Sequence, residues 1–289
     1  MSRIHDALRR AEQALPDSEG RAAPAEAPLQ RLAGGRRNEP QDLAFSQPQL
    51  VPEMLADVVE IPFTPVRDSH LLDAEHPQET PGEEFRTLRT RLNHLQTLQP
   101  LRSVVISSPS PAEGKTFTAV NLALAEAHLD ENIVLLGDCD LRRPSIHTLL
   151  QTERGPGLSD YLLGEVPFSQ ALRKIQGMNL YFLPAGTPVK NPLELLNLRQ
   201  AKALFEQIPG LFSWAIFDTP PLLFSADANL LATLADGTVL VVKIGSTTFD
   251  SVTRAMSSLC ENNVLGIVAN GARASELYSK YTYYYSRPE

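Results

Sequence analysis

The sequence has little of what identifies several protein classes. Its 289 residues include two cysteines, Cys139 and Cys260, which are too few and too scattered for a disulfide framework or a zinc site. No run of 18 apolar residues occurs, so no membrane-spanning helix is expected. The polar start, Met1 to Asp6, lacks the apolar core of a signal peptide. We therefore expect a cytoplasmic protein.

Basic charge is scarce as well. Lysine and arginine number 26 against 34 aspartate and glutamate residues, which gives a net charge of −8. A surface that binds nucleic acid needs an excess of basic side chains to replace phosphate counterions. Nucleic acid is therefore not expected among the partners.

Tyrosine is concentrated at one end of the chain. Five of the seven tyrosines stand in the last twelve residues: Tyr278, Tyr281, Tyr283, Tyr284 and Tyr285. Such a tail is a cluster of phosphorylatable hydroxyls, a packing segment or a disordered stub. The choice among these depends on what chemistry the rest of the chain can perform.

Four segments differ in their residue pattern. Residues 1–15 place apolar side chains at helical spacing and predict a short amphipathic helix. Residues 16–82 are rich in proline, alanine, glutamine and charge, which predicts a linker or disordered arm, with Val58–Ile61 as a candidate short edge strand. Residues 83–275 predict the folded domain, and residues 276–289 a flexible tail that carries the tyrosine cluster.

Short apolar runs alternate with amphipathic stretches through the predicted domain. The runs are rich in Val, Ile and Leu, as expected of strands buried on both faces: Ser103–Ser108, Ile133–Gly137, Leu180–Leu183, Trp214–Phe217, Gly237–Val242 and Gly266–Asn270. The predicted helices are Glu83–Leu98, Lys115–His128, Arg199–Gln207, Ala226–Leu234 and Phe249–Glu261. This alternation predicts an α/β fold of the phosphate-loop NTPase kind, a mostly parallel sheet with helices on both faces.

A phosphate-binding loop is predicted at Ser107-Ser-Pro-Ser-Pro-Ala-Glu-Gly-Lys-Thr116, between a strand and a helix. Backbone N–H groups and the helix dipole favour phosphate there, Lys115 would neutralise the β- and γ-phosphates, and Thr116 would bind Mg²⁺. The usual first glycine is absent, because Pro109 stands in its place. The residues expected to contact ATP in this loop are Pro111, Ala112, Glu113, Gly114, Lys115, Thr116 and Phe117.

Acidic residues follow two of the other predicted strands. Asp138 and Asp140 stand at the end of one strand, and Asp218 ends another. The carboxyl ends of parallel strands form the ligand crevice, where such carboxylates suit metal binding and proton abstraction. Carboxylates that cap loops are the alternative. We expect Thr116, Asp138 and Asp218 to bind the metal, with Asp138 or Asp140 as the proton acceptor.

Together these motifs resemble those of the bacterial tyrosine kinase family, cytosolic autokinases of capsule and exopolysaccharide export. The loop, Asp138–Arg142 and Ile216–Pro221 look like the Walker A, A′ and B motifs of that family. Glu83, Arg86 and Arg89 match its Glu-x-x-Arg-x-x-Arg oligomerisation motif, and the segments Gly157–Gly164 and Leu183–Leu196 are also typical. The resemblance covers residues 83–289 and is weaker before them.

The resemblance implies an ATP- and Mg²⁺-dependent protein-tyrosine autokinase that phosphorylates its tail tyrosines in trans within a homo-oligomeric ring. It also implies a membrane-embedded polysaccharide co-polymerase whose cytosolic tail docks on the kinase and activates it, so that the kinase lies at the inner face of the membrane. A cognate tyrosine phosphatase is a further implied partner. Lys115, Asp138, Asp140 and Arg142 are the expected catalytic residues.

Several alternatives remain open at this point. Arg142 has one of two roles, to stabilise the phosphoryl oxygens or to tie down its loop, or it is a solvated surface arginine. Asn270 either reads the adenine or is an ordinary turn residue. The whole chain is alternatively a positioning or scaffold ATPase of the same fold, or a non-catalytic binding domain. Pro109 and Ser110 replace the glycine and lysine with which the loop of positioning ATPases opens, which argues against that class.

Overall fold

The computed structural model describes residues 49–66, 69–72, 81–259 and 264–272. In them the strands are β1 (Glu60–Ile61), β2 (Ser103–Ser107), β3 (Val134–Asp138), β4 (Arg173–Ile175), β5 (Leu180–Leu183), β6 (Trp214–Asp218), β7 (Gly237–Lys243) and β8 (Val264–Asn270). The α-helices are α1 (Gly82–Leu98), α2 (Lys115–Ala127), α3 (Ile146–Leu149), α4 (Leu158–Leu162), α5 (Phe168–Ala171), α6 (Pro192–Leu196), α7 (Arg199–Gln207), α8 (Ala226–Leu234) and α9 (Phe249–Ser258). Two 3-10 helices span Pro52–Asp57 and Ile208–Gly210.

The described strands form one sheet in the order β1-β4-β5-β3-β6-β2-β7-β8. Every neighbouring pair is parallel except β4 and β5, which are antiparallel. Parallel neighbours require crossover connections, and α2, α7, α8 and α9 lie between successive strands of the sequence. The predicted mostly parallel α/β sheet is confirmed.

The central strands send alternate side chains into two apolar layers. On one face Val105, Leu135 and Phe217 belong to a core that includes residues of α7. On the other face Ile106 and Leu136 pack with residues of α1 and α2. Both faces of the central strands are covered, which is why these strands read as continuous apolar runs.

Predicted and observed strands agree to within one or two residues at either end for β2, β3, β5, β6, β7 and β8. The burial of β8 differs from the prediction. Its residues are half-buried or exposed, and Ile267 is 49% exposed, because β8 is one of the two edge strands of the described sheet. The short strand β4 was not predicted, since two of its three residues are the charged Arg173 and Lys174.

The predicted helices are also present. Phe85 and Leu92 of α1 are buried, and Leu88 and Leu95 pack against the same core, as their spacing predicted. Helix α2 ends one residue before the predicted His128. Helix α9 ends at Ser258 with Leu259 as its C-cap, and Cys260 and Glu261 of the predicted helix lie outside the described residues.

Part of the predicted linker belongs to the folded domain. Leu50, Leu55 and Val58 are buried in the core beside α7, and Leu72 is buried with α1 and α2. Strand β1 pairs with β4 at the edge of the sheet, so the candidate edge strand within Val58–Ile61 is confirmed. The assignment of all of 16–82 to a linker is therefore corrected for 49–66 and 69–72, whose apolar residues are widely spaced and show no period.

Other predictions concern residues that the structure does not describe. These are the helix over 1–15, Cys260 and the tyrosines of the tail, Tyr278, Tyr281, Tyr283, Tyr284 and Tyr285. In the part of the chain that is described, no helix is long and apolar enough to cross a bilayer.

Candidate phosphate-binding and catalytic site

The predicted site residues converge at the carboxyl ends of β2, β3 and β6, which are adjacent in the sheet. Asp138 and Asp218 are direct register partners of the parallel pair β3–β6, and the Cys139 N–H donates to the Asp218 carbonyl at 2.8 Å. The loop that follows β2 leads directly into α2. Three separate motifs therefore form one site because three neighbouring strands end at the same edge.

The loop between β2 and α2 is fixed by its own polar groups. The Ser108 hydroxyl donates to the Ser110 carbonyl at 2.7 Å, and the Ser110 N–H donates to Glu113 Oε2 at 2.7 Å. Gly114 has a φ of +96°, which favours glycine, and Ala112 has a φ of +61°. A Cβ at Gly114 would stand 1.9 Å from Asn270 Nδ2, so the position also demands glycine for space.

Lys115 is the first residue of α2 and faces two acids. Its Nζ lies 3.1 Å from Asp140 Oδ2 and 3.5 Å from Asp218 Oδ1. Burial by itself would lower the pKa of Lys115, but the charges of Asp218 and Asp140 outweigh it and raise that pKa above its ordinary value. The ammonium group is therefore charged at neutral pH. Gly114 gives α2 no side-chain cap, which leaves the positive end of the helix open to an anion.

Thr116 and Asp218 form the second contact between the loop and β6. The Thr116 hydroxyl donates to Asp218 Oδ2 at 2.6 Å. Asp138 Oδ1 is buried without a hydrogen bond, and Asp218 Oδ1 is buried with the ammonium group of Lys115 at the longer distance of 3.5 Å. Buried carboxylate oxygens without donors suit a bound cation, so these residues fit Mg²⁺. Among the described residues no three His, Cys, Asp or Glu side chains are grouped to hold a metal by themselves, so further ligands would come from nucleotide and water.

Asp138 and Asp140 are held by the turn after β3. The N–H groups of Ser145 and Ile146 donate to Asp138 Oδ2 at 3.0 and 3.1 Å. The Arg143 N–H donates to Asp140 Oδ1 at 3.0 Å. Burial, assisted by the charge of Asp218, raises the pKa of Asp138, and burial raises that of Asp218 against the opposing charge of Lys115. Additional positive charge at the site would therefore stabilise the ionised forms of these carboxylates.

Arg142 points to a residue that the sequence motifs do not include. Its Nε donates to Asp227 Oδ2 at 2.6 Å and its Nη2 to Asp227 Oδ1 at 3.1 Å. Asp227 is buried in the first turn of α8. In this structure Arg142 ties its turn to α8, the second of the two roles open to it from sequence.

The side chains of Glu113, Phe117 and Asn270 have partners within the protein. Glu113 Oε1 accepts from the Thr247 hydroxyl at 2.5 Å, and Asn270 Nδ2 donates to the Glu113 carbonyl at 3.0 Å. The ring of Phe117 packs edge-on against Phe85, with centroids 5.8 Å apart. Glu113 and Phe117 can therefore meet a nucleotide through their backbone N–H groups, while their side chains position the loop and α1.

The predicted oligomerisation motif lies along α1. Arg86 forms an ion pair with Glu83, whose side chain is 70% exposed. Arg89 is half-buried and its Nη1 donates to the Ala125 carbonyl of α2 at 2.9 Å. The three residues therefore divide between an exposed pair and a contact between the helices.

The segments Gly157–Gly164 and Leu183–Leu196, which resemble those of the kinase family, contact each other beside β5. Asp160 Oδ2 accepts from the Gly157 N–H at 2.7 Å and from the Thr187 N–H at 3.2 Å. The Ser159 hydroxyl donates to the Thr187 carbonyl at 2.8 Å. These bonds brace the loop after β5, the strand next to β3 in the sheet.

Asp227 and Thr247 are the site residues that sequence reasoning missed. Ser225 is a recognisable N-cap for α8, since its hydroxyl accepts from the Asp227 N–H, and this would have placed Asp227 at a helix start. No local signal links Asp227 to Arg142 or Thr247 to Glu113, because both pairs are joined only by the tertiary fold.

The chain is 36% identical over 210 residues to the tyrosine-protein kinase YwqD of Bacillus subtilis strain 168, a match that covers 72% of this chain and 88% of that relative. It is 31% identical over 222 residues to the tyrosine-protein kinase wzc of Salmonella typhimurium, covering 75% of this chain but 31% of the longer relative. No protein-family model matches the chain.

A solved structure resembles the fold closely. The kinase domain of the Escherichia coli tyrosine kinase ETK superposes with a TM-score of 0.66 at 27% sequence identity. The superposition covers 77% of this chain and 94% of that domain. The similarity thus extends over an entire kinase domain and is not confined to the phosphate loop.

Proposed function

The chain belongs to the bacterial tyrosine kinase family and is a protein-tyrosine kinase, and on this premise we propose that it transfers phosphate from ATP to its own C-terminal tyrosines in trans. The observation that carries the proposal is the charged Lys115 held between Asp140 and Asp218 at the open start of α2. This activity regulates synthesis and export of exopolysaccharide or capsule.

The nucleotide is bound by the loop and the first turn of α2. Lys115 and the backbone N–H groups of residues 112–117 contact the phosphate oxygens, where the helix dipole also favours negative charge. Thr116, Asp138 and Asp218 would hold Mg²⁺ directly or through water, and a bound Mg²⁺ would supply positive charge beside the β- and γ-phosphates. A groove of about 620 Å³ beside Asn270 and Gly271 has room for the adenine.

Phosphoryl transfer at this site needs little covalent chemistry from the protein. The tyrosyl oxygen bonds to the γ-phosphorus while the bond from that phosphorus to the bridging oxygen breaks, and ADP leaves with the electron pair. Asp138 or Asp140 accepts the phenolic proton. Lys115 stabilises the charge that spreads over the equatorial oxygens, so catalysis rests on positioning and electrostatics.

The acceptors are the five tyrosines of the tail because the remaining two are enclosed. Tyr161 is 6% exposed and packs edge-on against Phe168 with ring centroids 5.3 Å apart. Tyr181 is 8% exposed and packs in the same way against Phe212. Neither hydroxyl can reach an active site without unfolding of its core, whereas a terminal segment can enter the site of a neighbouring copy.

Assembly and activation complete the proposal. Glu83, Arg86 and Arg89 contribute to a ring in which one subunit presents its tail to the next. A membrane-embedded polysaccharide co-polymerase docks its cytosolic tail on the kinase and switches it on, which keeps the kinase at the inner face of the membrane. A cognate phosphatase removes the phosphates. Each phosphate adds about −1.5 to −2 charges, so accumulated repulsion dissociates the ring.

The test is intact-mass measurement of the purified chain after incubation with ATP and Mg²⁺. We expect mass increments of one or more phosphates that a tyrosine phosphatase removes, mapped to residues 278–285. A variant with all five tail tyrosines changed to Phe keeps ATP binding and loses nearly all increments.

Two results would count against the proposal. Phosphate mapped to Tyr161 or Tyr181 would show that the tail is not the acceptor. ATP hydrolysis without any phosphotyrosine, in the presence of an activating partner, would favour the alternative of a positioning or scaffold ATPase of the same fold.

A further inference from the structure

Arg142 and Asp227 form a two-point ion pair beside the site, and the chemistry proposed above does not use Asp227. The guanidinium group contributes two hydrogen bonds to the two oxygens of one carboxylate, at 2.6 and 3.1 Å. This side-by-side geometry fixes direction as well as distance, because the planar fork of arginine matches a carboxylate.

Asp227 is a fixed anchor for this pair. Its side chain is 1% exposed, while that of Arg142 is 48% exposed. Its backbone N–H is bound by the Ser225 hydroxyl, and its place in the first turn of α8 favours a negative charge. The buried carboxylate is therefore the fixed partner of the pair, and the position of α8 determines where the Arg142 side chain is held.

The turn that Arg142 belongs to carries the two candidate proton acceptors. The neighbouring Arg143 N–H holds Asp140, and the N–H groups of Ser145 and Ile146 hold Asp138. Helix α8 follows β6, which ends in Asp218. The pair consequently joins the turn after β3 to the segment after β6, across the crevice in which the transfer takes place.

We propose that Asp227 is a positioning residue for phosphoryl transfer: through Arg142 it holds the turn that aims Asp138 and Asp140 at the reacting groups. This inference deepens the proposed function and rests on it. It differs from direct contact of Arg142 with the phosphoryl oxygens, in which Asp227 would contribute little.

The experiment is a double-mutant cycle of autophosphorylation rates with Asp227→Asn, Arg142→Ala and the double variant. We expect each single change to lower kcat by about 10- to 100-fold, since small displacements of catalytic groups have effects of that size. The KM for ATP stays within about threefold, because the phosphate loop is held by other contacts. The double variant is no slower than the slower single variant, because both changes remove one linkage.

Arg142→Lys separates positioning from charge. Lysine keeps the charge but cannot form the two parallel bonds, so we expect it to remain impaired. Rates are expressed per ATP-binding site, determined by titration with nucleotide, so that loss of folded protein does not count as loss of kcat. The matched control is Asp250→Asn, which removes an exposed arginine–aspartate pair on α9 and leaves the rate unchanged.

Three outcomes overturn the inference. These are an unaltered kcat in Asp227→Asn, losses that multiply in the double variant, and full activity of Arg142→Lys. If Asp227→Asn does not fold, Arg142→Ala and Arg142→Lys decide by the same criteria. A parent chain that transfers no phosphate to tyrosine counts against the proposed function, whereas an active parent with an equally active Asp227→Asn counts against the positioning role alone.

Discussion

The two ends of helix α2 bury carboxylates in different ways. At its start, Asp140 and Asp218 are compensated by the ammonium group of Lys115. Near its end, Glu126 is fully buried and accepts hydrogen bonds from Asn93 and Asn132, at 3.2 and 3.0 Å, while its Oε1 has no hydrogen-bond partner. The surroundings at the start of α2 thus stabilise charged carboxylates, whereas those of Glu126 near its end favour an uncharged carboxyl group.

This difference separates function from packing along a single element. Burial raises the pKa of Glu126 to about 7, because Asn93, Arg89 and Asn132 only partly offset the loss of solvent. The Arg89 guanidinium in turn donates to the Ala125 carbonyl, so the same end of α2 supports the helix that carries the predicted oligomerisation motif. A helix of 13 residues, about 20 Å long, therefore connects the phosphate site to the predicted subunit interface.

The largest effect is expected at the charged end. Lys115→Met removes the cation that faces the phosphates, and we expect the rate of autophosphorylation to fall by about a thousandfold, the effect of losing a strong stabilising group in a transition state. Circular dichroism should show a folded protein, since Lys115 adds nothing to the apolar core. Lys202→Met, a change at an exposed lysine of α7, is the control and should retain the parental rate. A normal rate in Lys115→Met would remove this loop from the mechanism.

Glu126, near the end of α2, should contribute to the pH dependence of the free energy of unfolding. Between about pH 4.5 and 7 the unfolded chain ionises Glu126 while the folded chain keeps its proton, so the free energy of unfolding falls as the pH rises. The rise in the pKa of Glu126 from its ordinary value of 4.5 to about 7 corresponds to about 3 kcal/mol. Glu126→Gln should abolish this component, measured as the difference between parent and variant in denaturant unfolding at pH 5 and pH 8. Parallel pH curves for the two proteins would show that Glu126 is ionised in the fold.

The smallest effect is expected on the surface of α1. Replacing Glu83, Arg86 and Arg89 together with alanine should weaken assembly by about tenfold, because exposed ion pairs contribute little individually and are screened by salt. Light scattering across a dilution series measures the change. The control removes another ion pair between partly exposed side chains, Glu60 with Lys174, and should not alter the mass distribution. An unchanged distribution in the triple variant would assign the motif to the contact between α1 and α2.

The sequence predicts the centre of the fold better than its margins. Buried runs such as Val104 to Ile106 are apolar on both faces and belong to a central strand, and the meeting of Asp138 with Asp218 follows from parallel strands ending together. The run at β8 has the same composition, so its position at the edge could not be recognised. The anchors Asp227 and Thr247 depend on contacts across 85 and 134 residues, which no local pattern encodes.

The link between Asn270 and the phosphate loop has a consequence for the reach of the tail. Asn270 Nδ2 donates to the Glu113 carbonyl of the phosphate loop. Ala272 follows Asn270 by two residues in the sequence and therefore lies near that loop. At about 3.4 Å per extended residue, six residues allow Tyr278 a radius of about 20 Å, and thirteen allow Tyr285 about 44 Å. In the proposed mechanism each of the five tail tyrosines is therefore tethered beside the candidate donor site, and Tyr285 has the longest tether. Under the proposed transfer in trans, a receiving site more than about 20 Å from Ala272 is out of reach of Tyr278, so the positions that acquire phosphate bound the distance to that site.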